Sequence, residues 1–136
     1  MNKIFVAKKI LVVEDNQVNQ KLMQKIISII GHEFINGGDG ENIDVIKLVK
    51  EQKPAIILMD VQLIGVSGVD LTKQLKSDPE TTAIPVIMIT ALSSSGDRER
   101  IIVESKCDDF MSKPFLPEDL ANKVEQFLPI KKISWN

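Results

Sequence analysis

The sequence predicts an α/β domain built on a doubly wound parallel sheet, and three observations carry that prediction. First, short runs rich in Ile and Val recur along the chain: Ile10-Leu11-Val12-Val13, Ala55-Ile56-Ile57-Leu58-Met59 and Val86-Ile87-Met88-Ile89. They do not alternate with polar residues, which is how strands read when helices cover both faces of a parallel sheet. Second, the segments between them carry apolar residues at helical spacing, so strand-like and helix-like stretches alternate from end to end. Third, the strand-like runs finish in reactive groups. Glu14-Asp15, Asp60 and Thr90 end three of them, and Asp109-Phe110-Met111-Ser112-Lys113-Pro114 ends a fourth in a lysine. Open α/β sheets bind their ligands in the crevice at the carboxyl ends of the strands.

The elements follow in order. After a first strand over 10–15, Asn16 caps a helix with Val18, Leu22, Met23, Ile26, Ile27 and Ile30 as its apolar stripe, and Gly31 stops it. Glu33-Phe34-Ile35-Asn36 is a short strand, followed by a turn at Gly37-Gly38-Asp39-Gly40. A second helix is expected over 41–51, with Ile43, Ile46 and Val49 or Val45 facing inward. The strand ending at Asp60 precedes a loop and a helix over 69–76. Asp78-Pro79 and Ile84-Pro85 bracket the loop before the strand ending at Thr90. Ser93, Ser94 and Ser95 precede and cap a polar helix over 96–105, and a last strand ends near Ser112. Pro117-Glu118-Asp119 suits the first turn of a final helix that buries Leu120, Val124, Phe127 and Leu128. Five βα units with right-handed crossovers favour the flavodoxin-like strand order 2-1-3-4-5. The expected organisation is an N-terminal extension over 1–8, one domain over 9–128, and a C-terminal tail over 129–136 in which Trp135 docks or stays exposed.

Composition narrows the classes of function. A chain of 136 residues can bury a core without disulfides or a structural metal. Its net charge of -2 gives no general attraction to nucleic acid or anionic membrane, and Lys131-Lys132 does not alter that. One cysteine, Cys107, excludes an intramolecular disulfide framework and a cysteine metal cluster. No apolar stretch approaches the roughly 18–20 residues that span a bilayer, and the apolar part of residues 1–7 is too short for a signal peptide. A cytoplasmic protein is expected, with no membrane insertion and no direct contact with nucleic acid.

In the order 2-1-3-4-5 the first and third strands are neighbours, so Glu14, Asp15 and Asp60 converge. Three adjacent carboxylates repel one another and raise their proton affinity unless a cation joins them. Mg²⁺ suits such a set, since it takes a few carboxylate and carbonyl oxygens and keeps several waters. Other residues read blandly. His32 has no partner at ligand or triad spacing and is expected on a loop or the surface. The glycines at 37–40 lack the Gly-Lys-Ser/Thr ending of a phosphate loop. Met59 and Met88 are core, and Arg98 and Arg100 form a solvated helix face.

Val13-Glu14-Asp15-Asn16, Leu58-Met59-Asp60, Thr90-Ala91 and Lys113-Pro114 stand in the order and spacing of a known family. Over about 9–128 the chain resembles the receiver domain of two-component response regulators, the CheY-like fold. Glu14-Asp15-Asn16 with Asn19 beyond it resembles stand-alone cell-division-type regulators and the receivers of hybrid kinases. The resemblance implies that Asp60 takes a phosphoryl group from a phosphohistidine on a sensor histidine kinase or histidine phosphotransfer protein. It implies that Asp15, Asp60 and the main-chain carbonyl of Gln62 bind Mg²⁺ directly, with Glu14 acting through a metal-bound water. It assigns Lys113 to the phosphoryl oxygens, Thr90 to a hydrogen bond with the new phosphoryl group, and a cis peptide to Lys113–Pro114. Phe110 takes the place of the family's switch aromatic, with the fourth helix, last strand and fifth helix as the face for a downstream protein. Because the chain stops soon after the fifth helix, output through partner proteins is expected.

Several positions depart from the family pattern. Ile64 stands where proline is common, although Gly68 is kept. Lys106-Cys107 replaces a Gly-Ala pair, which makes Lys106 a candidate for positive φ and Cys107 a stand-in for a small buried residue. The resemblance implies that Gln62 and Leu92 flank the path of water to the phosphoryl group, where Leu92 cannot orient that water. One alternative is a magnesium-dependent phosphohydrolase of the haloacid-dehalogenase kind, but it needs a second aspartate where Gln62 stands, and a cap. Flavin binding is disfavoured, because Glu14-Asp15 would repel the flavin phosphate.

Overall fold

Five strands, all parallel, form one sheet in the order β2-β1-β3-β4-β5. The structure is a computed structural model that describes residues 5–63, 65–91 and 94–132. In chain order the elements are β1 Lys9–Val13, α1 Gln17–Ile29, β2 Glu33–Asn36, α2 Val45–Gln52, β3 Ile56–Asp60, α3 Gly68–Ser77, β4 Val86–Thr90, α4 Ser95–Ser105, β5 Asp109–Ser112 and α5 Pro117–Glu125. The expected strand order is the observed one. Ile64, Leu92, Ser93 and Trp135, singled out above, lie outside the described residues.

The unbroken apolar runs are explained by burial on both faces. Alternate residues of each strand point to opposite sides. Ile10, Val12, Ile56, Leu58, Ile87 and Ile89 pack under α1 and α5 with Met23, Ile26, Ile27, Leu120, Ala121 and Val124. Leu11, Val13, Ile57, Met59, Val86 and Met88 pack on the other side with Val45, Val49, Leu71, Leu75 and Ile101.

Helix starts follow side-chain caps. Asn16 accepts the Asn19 N–H at 3.1 Å, Ser67 the Val69 N–H at 3.1 Å, and Ser94 the Asp97 N–H at 3.1 Å. The second helix begins later than expected, at Val45. Asp39 Oδ1 gathers the Glu41 and Asn42 N–H groups at 2.9 Å each, which holds 41–42 in a turn, and Asp44 then caps α2. The inward residues of α2 are Val45 and Val49, with Ile46 half-buried. In α5, Leu120, Ala121 and Val124 are buried, Leu128 beyond the helix is buried, and Phe127 is half-buried.

Several expectations are corrected. Val18 is 75% exposed and Leu22 is also exposed, so the buried stripe of α1 is Met23, Ile26 and Ile27, continued by Ile30. At about 100° per residue those four share one arc, and Val18 and Leu22 fall outside it. His32 lies in the loop between α1 and β2, as expected, but it is buried, at 6% exposure. Its Nδ1 accepts the Lys8 N–H at 2.9 Å, and its Nε2 lies 2.7 Å from the Pro129 carbonyl, to which it donates. The Phe5 ring lies 5.2 Å from the imidazole, and the Lys131 N–H donates to the Ile30 carbonyl at 3.0 Å. The described parts of both terminal segments are therefore fastened to the domain around one histidine. Lys106 has φ 60, as its place in a glycine position required, and Lys113–Pro114 is cis. Cys107 is half-buried rather than fully enclosed.

Candidate functional site

The sheet order makes β1 and β3 neighbours, with Val13 opposite Met59. The next residue on each strand, Glu14 and Asp60, therefore stands at the same carboxyl edge. Asp15 follows at the start of the turn into α1. One carboxylate oxygen from each of the three acids lies within 4.8 Å of the others. Across β4, Thr90 is buried and pairs in register with Ser112, so Lys113 enters from the far side. The Lys113 N–H donates to the Thr90 carbonyl at 2.8 Å, which fixes where the lysine side chain starts.

Asp60 is 6% exposed. Its Oδ1 accepts the Gln62 N–H at 3.1 Å, and its Oδ2 lies 3.3 Å from Lys113 Nζ. Glu14 is more deeply set, at 3% exposure. Its Oε1 accepts from Lys113 Nζ at 2.8 Å and from Asn19 Nδ2 at 2.6 Å. Its Oε2 is buried and has no hydrogen-bond partner among the described residues. Lys113 thus sits nearer to Glu14 than to Asp60.

These contacts set the protonation. Burial, with the adjacent Glu14 as the second cause, pushes the Asp60 carboxyl up to about 7, against the opposing pull of Lys113. Burial acts on Glu14 in the same sense, but the adjacent Asp60 carboxyl and the hydrogen bonds from Lys113 and Asn19 outweigh it and hold Glu14 below the ordinary carboxylate range. For Lys113 burial works against the charge, and Glu14 and Asp60 more than offset it, so its ammonium is held more firmly than usual. Of these two neighbouring carboxyls, Asp60 is therefore the one that holds a proton more readily.

Glu14, Asp15, Asp60 and Lys113 thus come together from three strand ends. Thr90 lies at the end of the strand between Asp60 and Lys113. Gln62 contributes its main-chain N–H to Asp60 and leaves its side chain exposed. Phe110 stands apart, half-buried on β5 beside Met88 in register. Two residues had roles that the sequence did not disclose. Asn19 holds Glu14, a contact made possible because Asn16 starts α1 three residues earlier. Arg98, read as part of a solvated face, lies over the Phe110 ring with its guanidinium carbon 5.7 Å from the centroid, and it donates to Ser112 Oγ at 3.0 Å.

Residues 10–125 match the family model described as response regulator receiver domain. The chain is 39% identical over 121 residues to the polar-differentiation response regulator DivK of Brucella anthropi, covering 89% of this chain and 96% of that protein. It is 38% identical over 122 residues to DivK of Brucella ovis, with 90% and 97% covered. Among solved structures, it is similar to the receiver domain of a sensor histidine kinase from Pseudomonas aeruginosa PAO1, solved with a magnesium ion coordinated in its active-site cleft. The TM-score is 0.80 at 28% identity, covering 90% of this chain and 98% of that one. The chemotaxis protein CheY4 of Vibrio cholerae shares the fold at a TM-score of 0.81 and 20% identity, with 90% and 100% covered. These findings favour the signalling reading over the phosphohydrolase alternative. Whole-domain similarity and shared strand order agree, and the chain belongs to the response regulator receiver domain family.

Proposed function

We propose that Asp60 is the phosphoryl acceptor of a two-component or phosphorelay pathway, and that its modification switches binding to a partner protein. The observation that carries this reading is the near-buried Asp60 carboxyl, flanked by Lys113 Nζ at 3.3 Å and by two further acids. Asp60 would attack the phosphorus of a phosphohistidine on a sensor histidine kinase or histidine phosphotransfer protein. A P–O bond to Asp60 forms as the P–N bond breaks, and the electron pair returns to the imidazole. Lys113 neutralises charge on the phosphoryl oxygens, and Thr90 donates its hydroxyl to one of them. The chemistry ends with self-phosphorylation and self-dephosphorylation, so the protein is a switch rather than an enzyme acting on other molecules.

The residues fit Mg²⁺. The donors are hard oxygens, and Glu14 Oε2 is a buried acceptor with no partner among the described residues. Asp15, Asp60 and the main-chain carbonyl of Gln62 would hold the ion directly, and Glu14 would act through a water. When bound, the ion neutralises the carboxylate cluster and the phosphoryl oxygens. With its carboxyl raised to about 7, Asp60 is a weaker nucleophile whenever it is protonated, and Lys113 is engaged with Glu14.

Exposed apolar residues support protein partners at two places. Val18, Leu22 and Leu116 are exposed. A groove of about 320 Å³ lined by Asn19, Leu22, Ala91, Lys113, Pro114 and Phe115 runs beside the lysine, where a donor must approach. Val103, 74% exposed, and Ile102 lie on α4 beside β5, which supports the α4-β5-α5 face for a downstream target. No helix among the described residues is long and apolar enough to cross a membrane. The proposed setting is the cytoplasm, with 9–128 as the working unit. Incubation with Mg²⁺ and acetyl phosphate, followed by intact-mass measurement, tests the reading. Wild type should gain one phosphoryl group and Asp60→Asn none, whereas equal gain in both would overturn it.

A further inference from the structure

We propose that Arg98 is a positioning residue that holds the Phe110 ring in place and so sets how readily the switch responds. This rests on the reading of Phe110 as the switch aromatic. The hold of α4 on the body is thin: among its described side chains only Ile101 and Ser105 are buried. Arg98 adds a second attachment of a different kind. Its guanidinium lies over the face of Phe110 and at the same time donates to Ser112 Oγ.

Residues 110 and 112 share one side of β5, so a single planar side chain spans both. Ser112 is the register partner of Thr90 and immediately precedes Lys113. The contact therefore lies between the aromatic ring and the strand ends that carry the site's hydroxyl and ammonium. Its neighbour Arg100 is occupied differently, pairing with Asp97 and Glu104 along α4.

A ring that shifts must leave the guanidinium. Arg98 thus favours the ring position that accompanies Lys113 held on Glu14 and Asp60. A cation over an aromatic face at an exposed site corresponds to about a two- to fivefold population bias. Lysine would keep the charge but lose the planar fork that reaches ring and hydroxyl together.

The test follows the amide resonances of Ile87, Met88 and Ile89 on β4 by ¹H–¹⁵N NMR, before and after phosphorylation of Asp60 with acetyl phosphate and Mg²⁺. These amides belong to a buried strand and report the strand's state rather than the arginine's own field. In Arg98→Ala the unphosphorylated resonances should move along the wild-type phosphorylation path by about a two- to fivefold population ratio. Arg98→Lys should fall between, and Arg100→Ala should stay at the wild-type positions. In a Phe110→Ala background, Arg98→Ala should produce no displacement. If wild type and Phe110→Ala respond to phosphorylation identically, the reading of Phe110 fails and this proposal fails with it. If they differ while Arg98→Ala leaves the unphosphorylated spectrum unchanged, or still displaces it without the Phe110 ring, only the role of Arg98 is overturned.

Discussion

Gly68 opens α3, and a Cβ built on it would lie 2.0 Å from the carbonyl oxygen of Asp60 and 2.9 Å from the carbonyl carbon. The first distance is about 1.4 Å short of an ordinary van der Waals contact, and both atoms are backbone, so no rotamer change relieves the overlap. Helix propensity alone would make Gly68→Ala stabilising by about 0.5–1 kcal/mol. Overpacking costs typically about 1–3 kcal/mol and sits at the upper end where backbone must move. The net expectation is a loss of about 1–2 kcal/mol, or roughly 3–8 °C in Tm for a domain of this size. The displaced carbonyl belongs to Asp60 itself, so Mg²⁺ affinity should fall as well. Gly96 provides the internal comparison. It lies in α4 with nothing within 4 Å of an added Cβ, and Gly96→Ala should stabilise by about 0.5–1 kcal/mol. Thermal unfolding and Mg²⁺ titration of both variants decide the matter. A Gly68→Ala protein that unfolds at or above the wild-type temperature and binds Mg²⁺ normally would refute the steric argument.

Titration of single variants should show Mg²⁺ affinity strongly reduced in Asp15→Asn and Asp60→Asn but less so in Glu14→Gln; unchanged affinity in Asp15→Asn would dismiss the assigned ligand set. His32 takes up a proton near 6.5 in the unfolded chain and at lower pH in the fold, with burial as the main cause, so its contribution to stability is full above about pH 6.5 and is lost as pH falls below that value. Asp60, raised to about 7, acts in the opposite sense over part of the same range. The quantity to measure is therefore the stability difference between wild type and His32→Phe, which should narrow between pH 7.5 and 5.5; a difference that does not vary with pH would dismiss the histidine's role. Lys76 Nζ is nearly buried and is shared by Asp108 Oδ2 at 2.5 Å and the Ile84 carbonyl at 2.8 Å. Because Asp108 is partly solvated, Lys76→Met should cost about 1–3 kcal/mol in urea unfolding, below the range for fully buried pairs, and a loss under about 0.5 kcal/mol would class the pair with surface bridges.

What the sequence disclosed was local or periodic. The runs at 10–13, 55–59 and 86–89 carry their own burial signal, and the reactive residues follow them directly, so the meeting of Glu14, Asp15 and Asp60 came from topology rules rather than from pairwise guesses. Asn16 and Ser94 announce helices through capping chemistry alone. The failures share the opposite property. His32 bonds a carbonyl 97 residues away, and nothing around position 32 encodes that partner. Arg98 is exposed as expected, but nothing in its polar helix announces the ring beneath it, which only the placement of β5 supplies. In α1, six apolar residues looked like one stripe, although the arc that the sheet can cover holds only four of them. Asp39 competed with the helix for the Glu41 and Asn42 N–H groups, a local contest that propensity does not resolve.

The histidine at the amino pole of the sheet has a mechanical consequence. Lys8 and Pro129 are both fastened there, while Asp60 stands at the opposite pole, about 16 Å along a five-residue strand. Tension applied between the two terminal segments would be borne by the Lys131-to-Ile30 backbone bond, the imidazole's two hydrogen bonds and the Glu33-to-Lys8 backbone bond beside them. The carboxylate cluster bears none of that load until those bonds part. Immobilising the protein through either segment should therefore leave phosphorylation chemistry undisturbed, with the reactive pole turned away from the anchoring surface.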